Sequence, residues 1–158
     1  MAAEEWFERV YSYLCQYSAL GGNRVGKTRV MVRFGIYGDS FQPSSVSEFL
    51  GLEPTQTYIK GEPTLTGRTV RPDTSWNIST GYQESDNINH QLEQIMQLLR
   101  GKTDKLVELR HSLGVEMLFM FVVKIENNEV AAMYFGKEFL HFVSAIDAEV
   151  GFDVYIHS

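Results

Sequence analysis

Between residues 29 and 37 the chain alternates: Val30, Val32, Phe34 and Ile36 interleave with Met31, Arg33, Gly35 and Tyr37. That period of two predicts a strand with one face in a core. An earlier segment repeats differently. Trp6, Val10, Tyr13, Leu14 and Tyr17 recur at helical spacing with Phe7 and Tyr11 alongside, which predicts an aromatic-rich amphipathic helix over residues 3–19, ended by Gly21 and Gly22. Further on, Ser45 and Glu48 make a capping box for a short helix carrying Val46, Phe49 and Leu50, with Gly51 as its left-handed cap. Short strands are expected at 57–60 and 75–80. Ser85 and Asp86 precede a helical stripe of Ile88, Leu92, Ile95, Met96 and Leu99 that resumes after Gly101 and stops at Gly114. Residues 117–123 are unbroken apolar, as in a central strand covered on both faces. Asn127 and Asn128 suit a hairpin turn into a strand at 130–135. A last helix carries Phe139, Phe142, Val143, Ile146 and Val150, and a strand with Phe152, Val154 and Ile156 closes the chain.

From Arg29 the expected order is β-α-β-β-α-β-β-α-β. This is an α+β two-layer sandwich, with a mixed, mostly antiparallel sheet and helices mainly on one face. Residues 1–28 form an appended helix and Gly-rich linker, and residues 29–158 a single domain.

Composition narrows the class. With 158 residues, 44% hydrophobic and 13% aromatic, the chain suits one well-packed domain. The single cysteine, Cys15, has no intrachain disulfide partner, the opening residues carry acids where a signal peptide needs positive charge, and no apolar run has the length of a membrane span. A soluble cytoplasmic protein is expected. Of the net charge of −6, residues 114–158 hold seven acids against Lys124 and Lys137. Such an end repels a polyanion, so nucleic acid is not an expected partner.

Four motifs approach chemistry. Gly21 to Thr28, GGNRVGKT, matches a phosphate-loop pattern, but that loop works between a strand and a following helix, and here a helix precedes and a strand follows. Gly38-Asp39-Ser40 follows a strand and resembles the first block of GDSL-type hydrolases, without the oxyanion and histidine blocks that activate the serine. Glu108 with His111 and Glu138 with His141 have the Glu-x-x-His spacing of di-iron bundles, yet lie away from the apolar stripes of their helices. Neither a metal nor a cofactor is expected. Last, the sparsely apolar stretch 52–76 sets Lys60, Arg68 and Arg71 among Tyr58, Tyr82 and Trp76, a mixture able to stack on and neutralise a phosphorylated ligand. Its other reading is a surface connection pinned to the core edge by Trp76.

Taken in order, VRFGIYGDSF, LGLEPTQTYIKGEP, TSWNISTG and ESDNINHQLEQIMQLL resemble the bacterial family catalogued as domain of unknown function 4279. The matching positions are Gly38 and Asp39, then Leu50, Gly51, Pro54 and Thr55, then Lys60 and Gly61, then Trp76. The resemblance runs from about Arg29 onward and implies a fold and a bacterial setting, without an established activity.

The expectation from these readings is a non-catalytic interaction protein, with toxin immunity as a specific role, whose acidic surface meets a basic protein partner. The alternative is a small-ligand or regulatory domain using Asp39, Lys60, Arg68, Arg71 and Trp76; an unrecognised hydrolase stands third. The apolar surface of Trp6, Val10, Tyr13 and Tyr17 exceeds what one neighbour covers. It predicts either a two-fold homodimer contact or a fold-back onto an open face of the domain.

Overall fold

A computed structural model describes residues 26–157, so the expected helix at 3–19, with Trp6, Val10, Tyr13 and Tyr17, lies outside the described residues. The elements are β1 (Arg29–Gly38), α1 (Pro43–Leu50), β2 (Gln56–Tyr58), β3 (Thr74–Ser79), β4 (Gln83–Glu84), α2 (Ile88–Leu99), α3 (Thr103–Leu113), β5 (Glu116–Glu126), α4 (Lys137–Ile146) and β6 (Glu149–His157). They form an α+β fold around a six-stranded mixed sheet of order β2-β3-β1-β5-β6, with β4 beside the start of β1. β1 pairs antiparallel with both β3 and β5. β5 and β6 are parallel, and α4 supplies the crossover that such a pair requires.

The pleat sorts the side chains. Val30, Val32, Phe34 and Ile36 of β1, Trp76 and Ile78 of β3, and Met117, Phe119, Phe121, Val123 and Ile125 of β5 share one face and one core with the four helices. Ile88, Leu92, Ile95, Met96 and Leu99 of α2 cover the β1 side; Phe139 of α4 meets Phe119 edge-on at 5.0 Å, and Phe121 stacks on Phe152 at 5.2 Å. Opposite lies a second, smaller apolar cluster of Met31, Tyr37, Leu118, Met120 and Val122. Both faces of β1 are therefore buried, where the alternation predicted one.

Several features differ from expectation, among them the short strand β4, which the sequence did not predict. The helical pattern across 85–113 divides into α2 and α3, because Gly101 adopts φ 74. The residue that caps α2 is Asn87, whose side chain accepts from the Asn89 amide at 3.0 Å, so the helix begins after Ser85 and Asp86 have turned the chain. α1 starts with Pro43 at its first position and no side-chain cap, in place of the capping box; its end, with Gly51 at φ 66, is as read. Residues 130–135 form no strand. Asn127 and Asn128 do turn the chain, with φ 52 and 59, but the edge of β5 is taken by parallel β6, and Ala132 bridges to Asn87 instead. The observed order is thus β-α-β-β-β-α-α-β-α-β.

Candidate functional site

The stretch that the sequence singled out folds as an irregular hairpin. Gly61 N–H donates to Arg71 O at 2.9 Å, Arg71 N–H to Glu62 O at 2.8 Å and Thr64 N–H to Thr69 O at 2.9 Å, with Pro63 bridged to Val70. Ile59, Leu65, Val70 and Arg68 are exposed on it. At its base Lys60 Nζ pairs with Asp39 Oδ1, and both side chains are open to solvent. Arg71 turns the other way, buried with its guanidinium 3.2 Å from the centre of the Tyr58 ring; burial lowers its pKa. Trp76 is fully buried on the helix-covered face, and its Nε1 donates to Ser47 Oγ at 2.9 Å. The five candidate residues therefore occupy three environments: a surface ion pair with Arg68 beyond it, a buried stack, and the main core.

Arg71 belongs to a polar cluster at one end of the second sheet face. Tyr37 lies across Gly35, where an added Cβ would fall 2.5 Å from its hydroxyl, and donates to Asn77 Oδ1 at 2.8 Å; Asn77 Nδ2 donates to Ser75 Oγ at 3.0 Å. Burial pushes the Tyr37 hydroxyl up to about 12, opposed by the neighbouring Arg33 and reinforced by Asp73. Across the face a second cluster surrounds Lys124, which is 3% exposed. Its Nζ lies 4.2 Å from the Tyr82 ring centre, and Tyr155 donates to Asp153 Oδ2 at 2.7 Å. Burial, then the charge of Arg29, lowers the Lys124 pKa, with Asp153 and Glu126 opposing. Sequence reasoning missed this set because Arg33, Lys124 and Asp153 sit at the alternate positions of strands, the ordinary signature of a solvated face.

A third region lies where the chain enters the sheet. A cleft of about 430 Å³ is lined by Lys27, Thr28, Glu84, Ser85, Asp86, His90, Glu129 and Val130. Its wall is the connection 127–136, held on several sides: Ala132 N–H donates to Asp86 O at 2.7 Å, Ile88 N–H to Ala132 O at 3.1 Å, Asn89 Nδ2 to Tyr134 O at 2.9 Å and Asn127 Nδ2 to Gly26 O at 3.3 Å. Thr28 Oγ1 donates to Glu129 O. Although fixed in this way, the connection turns Val130, Met133 and Tyr134 to solvent, at 63%, 43% and 59% exposure.

The acidic last third is largely neutralised within the chain. Arg110 pairs with Glu116 at 3.4 Å and Asp147 at 2.7 Å, Arg100 with Glu138 at 3.0 Å and Arg29 with Glu126 at 3.9 Å. Hydrogen bonds that Arg100 donates to the Glu93 and Glu138 carboxylates raise its pKa. Glu129 stands apart from these pairs, in the cleft with Glu84 and Asp86. Among the described residues no group of three or more His, Cys, Asp and Glu side chains is placed to hold a metal ion. Thr28 leads directly into β1, so a strand follows the phosphate-loop pattern.

A model of the family described as domain of unknown function, DUF4279, matches residues 27–157. The chain belongs to that family. No curated protein and no solved structure matches it. The DUF4279 match takes in all six strands and four helices, and with them the hairpin, both polar clusters and the cleft. No helix among its described residues is long and apolar enough to cross a membrane.

Proposed function

We propose that this DUF4279 domain is a non-catalytic binding protein that meets a protein partner at the cleft between β4, α2 and the 127–136 connection. The observation that carries the reading is the connection itself, which is pinned by its backbone while Val130, Met133 and Tyr134 point outward. Exposed apolar side chains on a pre-ordered loop bind without a large ordering cost, and aromatic residues such as Tyr134 are frequent interface anchors. Beside them Glu84, Asp86 and Glu129 outnumber Lys27 among the described lining residues, which selects a partner presenting lysine or arginine next to apolar residues. Neutralising a basic toxin is a role of this kind.

Panning a random-peptide display library on the immobilised full chain tests it. Selected sequences should place a basic residue beside an apolar or aromatic one. Glu84→Gln, Asp86→Gln and Glu129→Gln combined should weaken their binding about ten-fold or more. Acidic or uncharged selections, or binding indifferent to these substitutions, would overturn the reading.

The exposed hairpin supports a second reading, recognition through Ile59, Leu65 and Val70 beside the Lys60–Asp39 pair. These side chains stand exposed, and so suit a partner surface better than an enclosed small ligand.

A further inference from the structure

The two ends of the sheet differ. β2 closes one with three residues and β6 the other with nine, and among the described residues β6 pairs with β5 alone. Its ladder with β5 runs without a break from Leu118 opposite Glu149 to Glu126 opposite His157, so no bulge interrupts it. It holds neither lysine nor proline, the side chains that commonly keep an outer strand from pairing further. Towards its end it turns apolar side chains outward instead. Val154 and Ile156 are 42% and 68% exposed, although the β5 residues opposite them, Val123 and Ile125, are buried. A long, unbroken edge carrying exposed aliphatic side chains is a template for one more strand.

We propose that this strand is β6 of a second copy of the chain, paired antiparallel about a two-fold axis at Val154, so that two sheets join into one. In that register β6 is complementary to its own reverse. Val154 meets Val154 and Phe152 meets Ile156, which sets apolar side chains in one row on the helix-covered face, where Val150 and Phe152 already pack against the core. On the other face Asp153 stands opposite Tyr155, a carboxylate beside the kind of hydroxyl from which it already accepts within the chain at 2.7 Å. Neighbouring registers fit less well. Centring one residue earlier sets two Asp153 carboxylates against each other, and centring one later shortens the pairing within β6 from residues 151–157 to 153–157. A second copy is the occupant because the fit lies in one strand read in both directions, as a self-complementary contact requires. No residue of β6 lines the cleft, so the two surfaces are tested separately.

Light scattering on the full chain, with charge introduced at the axis, tests the contact. The parent should have twice the 18.1 kDa mass of one chain at about 100 μM and dissociate on dilution. Val154→Lys and Val154→Glu should each keep the parent's circular dichroism, since the side chain is exposed, and like charges on the axis should raise the dissociation constant of each about ten-fold or more. Mixed in equal amounts the two variants should recover the dimer, because at a two-fold axis residue 154 meets its own counterpart. A parent that remains an 18.1 kDa monomer at that concentration would overturn the proposal. So would a dimer that both substitutions leave intact, which places the contact elsewhere, or two folded monomeric variants that fail to associate when mixed.

Discussion

Tyr37 shows how one residue type can be misread from a pattern and then explained by its neighbours. At an outward position of an alternating strand it reads as a surface tyrosine, yet its hydroxyl is buried against Asn77 and its ring closes over Gly35. The pKa raised to about 12 has a stability consequence with a definite sign. The folded state holds the proton more tightly than the unfolded chain, so stability is full below about pH 10 and falls as pH rises towards 12. The loss should be about 2 to 3 kcal/mol. Denaturant melts at pH 9 and 11.5 should show it in the parent, and Tyr37→Phe should flatten the difference. Trp76 was legible as an anchor of the long connection, and its place in the core bears this out. Trp76→Ala should cost about 3 to 5 kcal/mol, the range for a large buried aromatic. A variant that melts like the parent would contradict that role.

Elements were legible where one rule dominated. β5 announced itself as an unbroken apolar run, and α2 as a stripe at helical spacing, because burial on two faces and on one face respectively leaves no other pattern. The strand expected at 130–135 failed for a reason that no local signal carries. A hairpin needs a free edge, and the edge beside β5 goes to β6, which arrives from the far end of the chain. The polar clusters on the second face were hidden in the same way, since Arg33, Lys124 and Asp153 stand at alternate strand positions that read as solvated. Close approach at this face gives an element-scale test. Gly35→Ala would set a Cβ 2.6 Å from Asn77 Oδ1 and 2.5 Å from the Tyr37 hydroxyl, displacing that pair. A loss of about 1 to 3 kcal/mol is expected, and Tyr37→Phe should relieve little of it because the ring Cε2 also clashes.

Across the whole molecule, charge is spent mostly on the fold. Arg29, Arg100 and Arg110 tie four of the seven acids of the last third to other elements, while Glu84, Asp86 and Glu129 gather in the cleft beside exposed apolar side chains. The sequence carried the excess of acid but not its distribution, because ion pairs between α3, β5 and α4 depend on packing. Gly21 to Thr28 runs into a strand, so no helix N-terminus faces a phosphate there. Calorimetry with magnesium and ATP should accordingly give no heat that Lys27→Ala removes.

The central claim is that the cleft and the 127–136 connection form the recognition surface. Amide chemical-shift mapping with a lysine- and tyrosine-containing peptide from the display selection tests it most directly. The account predicts perturbations confined to residues 84–90 and 127–134, fading as salt is raised. Perturbations centred on residues 59–70 and Asp39, with the cleft unmoved, would contradict it.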